Sequence, residues 1–68
     1  MKGLAYSSLR TGKTYRLTNF GEIYEFRLMK ILPRDFILKD LTTLEEYRMS
    51  RITQFGKGDD FEILEIRG

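Results

Sequence analysis

Two neighbouring segments of this chain, residues 14–18 and 23–28, are apolar at every second position. This period is typical of β-strands that bury one face. Only the four residues 19–22, with Phe20 and Gly21 at their centre, separate the two segments, and such a spacing indicates a tight hairpin. An antiparallel hairpin is therefore the predicted starting unit of the fold.

One register of this hairpin gives favourable side-chain pairs on both of its faces. On the outer face it places Arg16 against Glu25, which is an opposite-charge pair. A shift by one residue would instead set Tyr15 against Glu25 and move every side chain to the other face. The apolar pairs of the predicted register are Tyr15 with Phe26 and Leu17 with Tyr24.

The tripeptide Gly12-Lys13-Thr14 resembles the end of a phosphate-binding P-loop. A P-loop also needs a glycine at the position that Ser7 occupies, and a helix that begins directly after the lysine. Both features are missing, because the following residues have the period of a strand. We therefore interpret the tripeptide as the entry into the first strand.

The second strand is predicted to run from Ile23 to Leu32 and to end before Pro33. Its inward side changes phase, from Leu28 and the alternating residues before it to Met29 and Ile31. A phase change of this kind predicts a bulge or a sharp bend. A third strand, residues 36–40, follows the turn at 34–35.

The segment LTTLEEYRMSRITQF, residues 41–55, has two interpretations. Thr43 and Glu46 could form the capping box of a helix. A hairpin with the third strand is preferred because sequential strands usually pair. Its pairs would be Phe36 with Met49, Leu38 with Tyr47 and Lys39 with Glu46, and its weak points are Asp40 opposite Glu45 and an outward Ile37.

A single helical turn, residues 51–54 and capped by Ser50, would then precede a last strand, residues 61–66. The inward positions of all five strands and this turn predict the buried core. Its predicted members are Tyr15, Leu17, Tyr24, Phe26, Phe36, Leu38, Tyr47, Met49, Ile52, Phe61 and Ile63.

The chain has 68 residues and contains neither cysteine nor histidine. A domain of this size buries only about 60% of the surface of its unfolded chain, so little apolar material remains for a catalytic cleft. Histidine is the usual general base and the commonest metal ligand. We therefore expect no enzyme, no cofactor and no metal. The absence of cysteine and of long apolar runs predicts a soluble, cytoplasmic protein without membrane contact.

Five short strands, a long bent second strand and one helical turn before the last strand resemble the small barrels of the SH3-like superfold, which includes Tudor, KOW and Sm-like modules. The resemblance covers residues 13–66 and leaves 1–12 as an N-terminal extension. It predicts an all-β fold, either a small five-stranded SH3-like barrel or a strongly curled antiparallel sheet. Peptide-binding members use exposed aromatics between loops, for which Tyr6, Phe20 and Phe55 are the candidates.

Charge is unevenly distributed along the chain. Residues 1–34 carry seven basic and two acidic side chains, and residues 35–68 carry five basic and eight acidic ones. Arg16, Arg27, Lys30 and Arg34 would form an outward basic stripe that could contact phosphates. Alternatively, they are ordinary solvated residues, some of them paired with Glu22 or Glu25.

Together these features predict a non-catalytic binding module, with an unknown protein as its favoured partner. Nucleic acid, bound by the basic stripe, is the alternative. The candidate binding surface comprises Arg16, Arg27, Lys30, Arg34, Phe20 and Phe55. Neither the identity of the partner nor the oligomeric state follows from these residues.

Overall fold

The computed structural model describes residues 4–66, and within this range five strands form one antiparallel sheet that does not close. The sheet has the order β4-β3-β2-β1-β5. The strands are β1 (Thr14–Asn19), β2 (Glu22–Ile31), β3 (Phe36–Asp40), β4 (Glu46–Arg48) and β5 (Glu62–Ile66). One helix, α1 (Met49–Ile52), precedes β5, and a 3-10 turn (Tyr6–Ser8) precedes β1. The predicted all-β fold class is confirmed.

The β1–β2 hairpin has the predicted register, with Tyr15 opposite Phe26 and Arg16 opposite Glu25. Its turn residues Phe20 and Gly21 both have positive φ, at 50° and 76°. Two successive residues of positive φ give a turn whose twist matches that of the flanking strands. Thr14 is the first residue of β1, so Gly12-Lys13-Thr14 leads into a strand.

The predicted bulge in β2 is confirmed between Leu28 and Lys30, where the register with β3 shifts. The predicted inward position of Met29 is wrong, because the bulge leaves this residue without a cross-strand partner and 36% exposed. Ile31 lies opposite Phe36 at the end of the strand, yet it is 54% exposed. The buried part of β2 therefore ends at Leu28.

Residues 46–48 form the predicted hairpin with β3, in which Leu38 faces Tyr47 and Lys39 faces Glu46. The predicted pair of Phe36 with Met49 does not form, because Met49 begins α1. The helical turn thus occupies Met49–Ile52 and not residues 51–54. Its early start buries both Met49 and Ile52, which are three residues apart on one helix face.

Ser50 does not cap α1 as predicted. Its hydroxyl donates to the Asp35 carboxylate at 2.7 Å, and its backbone N–H donates to the same carboxylate at 3.1 Å. A side chain from the β2–β3 connection thus supplies the acceptor that the first turn of a helix needs.

The core contains seven of the eleven predicted residues as buried side chains: Tyr15, Leu17, Phe26, Leu38, Met49, Ile52 and Ile63. The other four, Tyr24, Phe36, Tyr47 and Phe61, are half-buried and pack against this cluster. Leu9 and Leu28 complete it. Leu9 belongs to the segment predicted as an N-terminal extension, of which residues 1–3 lie outside the described residues.

Asn19 is the buried polar residue of this core, at 2% exposure. Its Nδ2 donates to the backbone oxygens of Ile52 at 3.3 Å and Gly56 at 3.1 Å. Its Oδ1 accepts the N–H of Gly58 at 2.7 Å. The single amide therefore joins the end of β1 to the end of α1 and to the loop before β5.

Asp60 makes a second link between this loop and the β1–β2 turn. Its two carboxylate oxygens accept the N–H groups of Phe20 at 2.8 Å and Gly21 at 2.7 Å. The Gly21 hydrogen bond is the main reason that the pKa of Asp60 lies below its ordinary value, while desolvation opposes it.

A lowered pKa in the folded state means that ionised Asp60 stabilises the fold above the unfolded pKa of the group, and that this contribution is lost as pH falls. We expect Asp60→Asn to be less stable than the parent at neutral pH, and this difference to shrink below about pH 4. Thermal unfolding from pH 7 to pH 2.5 measures it. Asp59→Asn is the control. If the stability difference between Asp60→Asn and the parent stayed the same at every pH, the prediction would be wrong.

Within residues 4–66, no helix has the length and the apolar character needed to cross a membrane.

Candidate functional site

An open cavity of about 480 Å³ lies beside the β3–β4 hairpin and α1. We call it the acidic pocket, because three carboxylates and a single cation line it. Its lining residues are Tyr24, Asp40, Thr43, Glu45, Glu46, Tyr47, Arg51, Ile52 and Gln54. A concave site with a few convergent polar groups is the usual form of a ligand-binding site.

Sheet register brings the two tyrosines of the acidic pocket to the inner side. Tyr24 lies opposite Leu17, and Tyr47 lies opposite Leu38, and both partners are buried. Side chains of directly opposite residues share one face of a sheet. Because the two rings are only half-buried, their remaining surface is available to the cavity.

The β3–β4 turn positions the carboxylates. One oxygen of Asp40 accepts the N–H groups of Thr42 at 2.7 Å and Thr43 at 2.8 Å. Leu44, at φ 64°, donates its N–H to the Asp40 backbone oxygen at 2.9 Å. The hydrogen bonds from Thr43 and Thr42 lower the pKa of Asp40, so its carboxylate stays ionised at neutral pH.

The hydroxyl of Tyr47 is buried and has no hydrogen-bond partner within residues 4–66. Burial, followed by the negative charge of Asp40, raises the pKa of Tyr47 to about 12. The group therefore remains a protonated hydroxyl, able both to donate and to accept a hydrogen bond. Because the Tyr47 oxygen has almost no accessible surface, a ligand in the cavity would contact the carboxylates and the tyrosine rings instead.

The chemistry of the acidic pocket favours a cation. Its carboxylates can accept charge-assisted hydrogen bonds, and the faces of Tyr24 and Tyr47 can attract a positive charge. Arg51 offsets part of the negative charge and leaves an excess of two carboxylates. An ammonium or guanidinium group matches this arrangement.

A second, smaller cavity of about 310 Å³ lies on the other side of α1, between Tyr6 and the β2–β3 connection. Partial desolvation raises the pKa of Asp35 there, but the hydrogen bonds from Ser50 and Phe36 outweigh it and lower the pKa overall. These bonds engage the Asp35 carboxylate in holding α1.

An aromatic cluster borders the second cavity. The Tyr6 ring makes edge contacts with Phe36 at 5.4 Å and Phe61 at 6.3 Å between ring centroids. The Nζ atom of Lys57 lies 4.5 Å from the Tyr6 centroid and 4.9 Å from that of Phe61. A cation of the chain itself thus already occupies these ring faces.

The sequence-predicted site residues lie in several places. Arg16 forms an ion pair with Glu25 at 2.8 Å. Arg27 and Lys30 are exposed on the outer face of β2, and Arg34 lines the second cavity. Phe20 is 57% exposed in the β1–β2 turn, and Phe55 is 83% exposed after α1. Thus Arg16, Arg27 and Lys30 share the sheet, whereas Arg34 and the two phenylalanines lie in separate connections.

Sequence reasoning missed the acidic pocket because it assigned Tyr24 and Tyr47 to the core. It treated Asp40 opposite Glu45 as a flaw of the hairpin. That juxtaposition was the available signal, since like charges facing each other across a turn are unfavourable unless a cation compensates them.

No protein-family model, no curated protein and no solved structure matches this chain.

Proposed function

We propose that this chain is a non-catalytic protein-interaction module, and that its acidic pocket receives an arginine side chain of a partner protein. The observation that carries the proposal is the excess of two carboxylates, with Asp40 ionised, around the rings of Tyr24 and Tyr47. The likeness of the strand layout to SH3-like barrels, many of which bind peptides, supports a binding role. We infer the same superfold for this sheet, left open between β4 and β5.

Arginine fits the acidic pocket better than lysine does. Its planar guanidinium has several N–H donors and can serve two acceptors at once, whereas an ammonium is a compact point charge. Asp40, Glu45 and Glu46 provide the carboxylate acceptors in the lining of the cavity. The flat cation can also stack on the tyrosine rings.

The position of β4 favours a peptide over a small molecule. β4 is an edge strand of the open sheet, and two of its three residues, Glu46 and Tyr47, line the acidic pocket. An extended peptide can add to a sheet edge through its backbone while a side chain enters a neighbouring pocket. Backbone pairing then supplies affinity, and the acidic pocket supplies selectivity.

A matched pair of short capped peptides tests the proposal by calorimetry. One has a central arginine between glycine and valine residues, and the other has citrulline, the neutral analogue, in its place. We expect the citrulline peptide to bind about tenfold more weakly or worse, because it lacks the charge that the carboxylates recognise. Equal affinity of the two peptides would contradict the proposal.

Variants of the acidic pocket localise the effect. Tyr47→Phe removes only the buried hydroxyl and should leave arginine binding close to the parent's, because the ring face remains. Glu45→Gln with Glu46→Gln should weaken binding and reduce the preference for arginine over citrulline. Glu65→Gln, an exposed carboxylate on β5, is the control and should bind as the parent does.

A further inference from the structure

The outer face of β2, β3 and β4 gathers four cations from distant parts of the sequence. The register places Arg27 directly opposite Lys39, and Ile37 between Lys30 and Arg48. The bulge at Met29 brings Lys30 onto the same face as Arg27, which a regular strand would not do. We call Arg27, Lys30, Lys39 and Arg48 the basic face.

Three carboxylates lie near the basic face, since Asp35 interacts electrostatically with Arg48 in addition to the two glutamates of β2 and β4. Glu25, the acidic residue of β2 nearest to it in sequence, is paired with Arg16. Glu46 lies opposite Lys39 on β4, but Arg16–Glu25 is the sole ion pair within residues 4–66. Arg27 and Lys39 are therefore like charges directly opposite each other, an arrangement that destabilises a sheet. An anion bound between them would remove this repulsion.

We propose that the basic face binds the phosphate backbone of duplex nucleic acid. Neighbouring strands lie about 4.8 Å apart, so the cations of three strands cover a surface about 10 Å wide. The strand residues that share this face include no aromatic side chain. Proteins that hold single strands stack bases on aromatic rings, whereas contacts to phosphates alone suit a duplex.

This site meets the acidic pocket at Glu46, which lines the pocket and lies opposite Lys39, but the two sites otherwise occupy opposite phases of the strands. The tyrosines of the acidic pocket are in the inward phase of β2 and β4, and the cations of the basic face are in the outward phase. The basic face also differs from the basic stripe predicted from the sequence, because Arg16 is paired with Glu25 and Arg34 lines the second cavity. Lys39 and Arg48 replace them.

Fluorescence anisotropy with a labelled duplex at increasing salt tests the proposal. The logarithm of the binding constant should fall linearly with the logarithm of salt concentration, by about 0.9 per neutralised phosphate. Arg27→Gln with Lys39→Gln should flatten this slope by about two units. Arg16→Gln with Arg34→Gln lowers the net charge equally and should leave the slope within about half a unit of the parent's.

Three results of this titration would overturn the proposal: no binding at high micromolar protein and low salt, equal slope losses in the two double variants, or a single strand of the same sequence binding as tightly as the duplex.

Thermal unfolding supplies an independent test of the charge repulsion. Arg27→Gln with Lys39→Gln should be at least as stable as the parent, since it removes a like-charge pair. A lower melting temperature than the parent's would contradict the repulsion on which the proposal depends.

Discussion

Replacing Phe26 by alanine is expected to lower the free energy of unfolding by about 3 to 5 kcal/mol. Phe26 is fully buried in the middle of the sheet, and its ring lies 6.0 Å from that of Tyr15, its cross-strand partner. Alanine would leave a cavity that the strands on either side of β2 cannot close. A core of this size supplies only roughly 3 to 5 kcal/mol in total, so most of the variant should be unfolded.

Urea denaturation at neutral pH measures this loss. Phe55→Ala is the matched control, because it removes the same ring from a site that is 83% exposed. Exposed substitutions of this kind change stability by about 0.5 kcal/mol or less. If the Phe26→Ala protein melted within a few degrees of the parent, the assignment of Phe26 to the inward side of β2 would be wrong.

Replacing Asn19 by alanine is expected to cost about 2 to 4 kcal/mol, because three hydrogen bonds of a buried amide are lost together. The backbone oxygens of Ile52 and Gly56 and the N–H of Gly58 would lose their partner in the interior. A buried polar group left unpaired costs more than the hydrogen bond itself contributes.

Gln54→Ala removes an exposed amide near the same helix end and is the control. Both variants can be compared by denaturation and by amide hydrogen exchange. Exchange should accelerate in the residues 56–58 for Asn19→Ala alone, because Asn19 fastens this loop. If Asn19→Ala were as stable as Gln54→Ala, the amide would have no structural role.

The two hairpins could be predicted from the sequence because their information is local. Cross-strand partners lie within about a dozen residues of each other, and each register is fixed by complementary pairs such as Arg16 with Glu25. The bulge in β2 was readable from the phase change that surrounds it. Its effect on Met29 was not, since the exposure of that side chain depends on where the core ends.

The start of α1 and the burial of Leu9 could not be predicted, because both depend on distant partners. Asp35 holds Ser50 from 15 residues away. Leu9 belongs to a core cluster whose other members are distant in sequence or on the strands. Nothing local marks Asn19 as a buried residue, because its three hydrogen bonds reach residues more than thirty positions away.

The binding surfaces could be predicted only in part from the sequence, because they too join residues that are distant along the chain. Arg27 and Lys30 were recognised, but Lys39 belongs to the acidic half of the chain, and only the β2–β3 register brings it opposite Arg27. The acidic pocket joins β2, the β3–β4 hairpin and α1, and local alternation describes its tyrosines simply as inward residues.

The recognition of arginine by the acidic pocket can be observed directly at the tyrosine hydroxyls. The chain has four tyrosines, so labelling each phenolic carbon with ¹³C gives four separable NMR signals. Saturation with the arginine peptide should shift the signals of Tyr47 and Tyr24 and leave those of Tyr6 and the buried Tyr15 in place. A shift confined to Tyr6, which lines the second cavity, or equal shifts with the citrulline peptide, would contradict the proposed function.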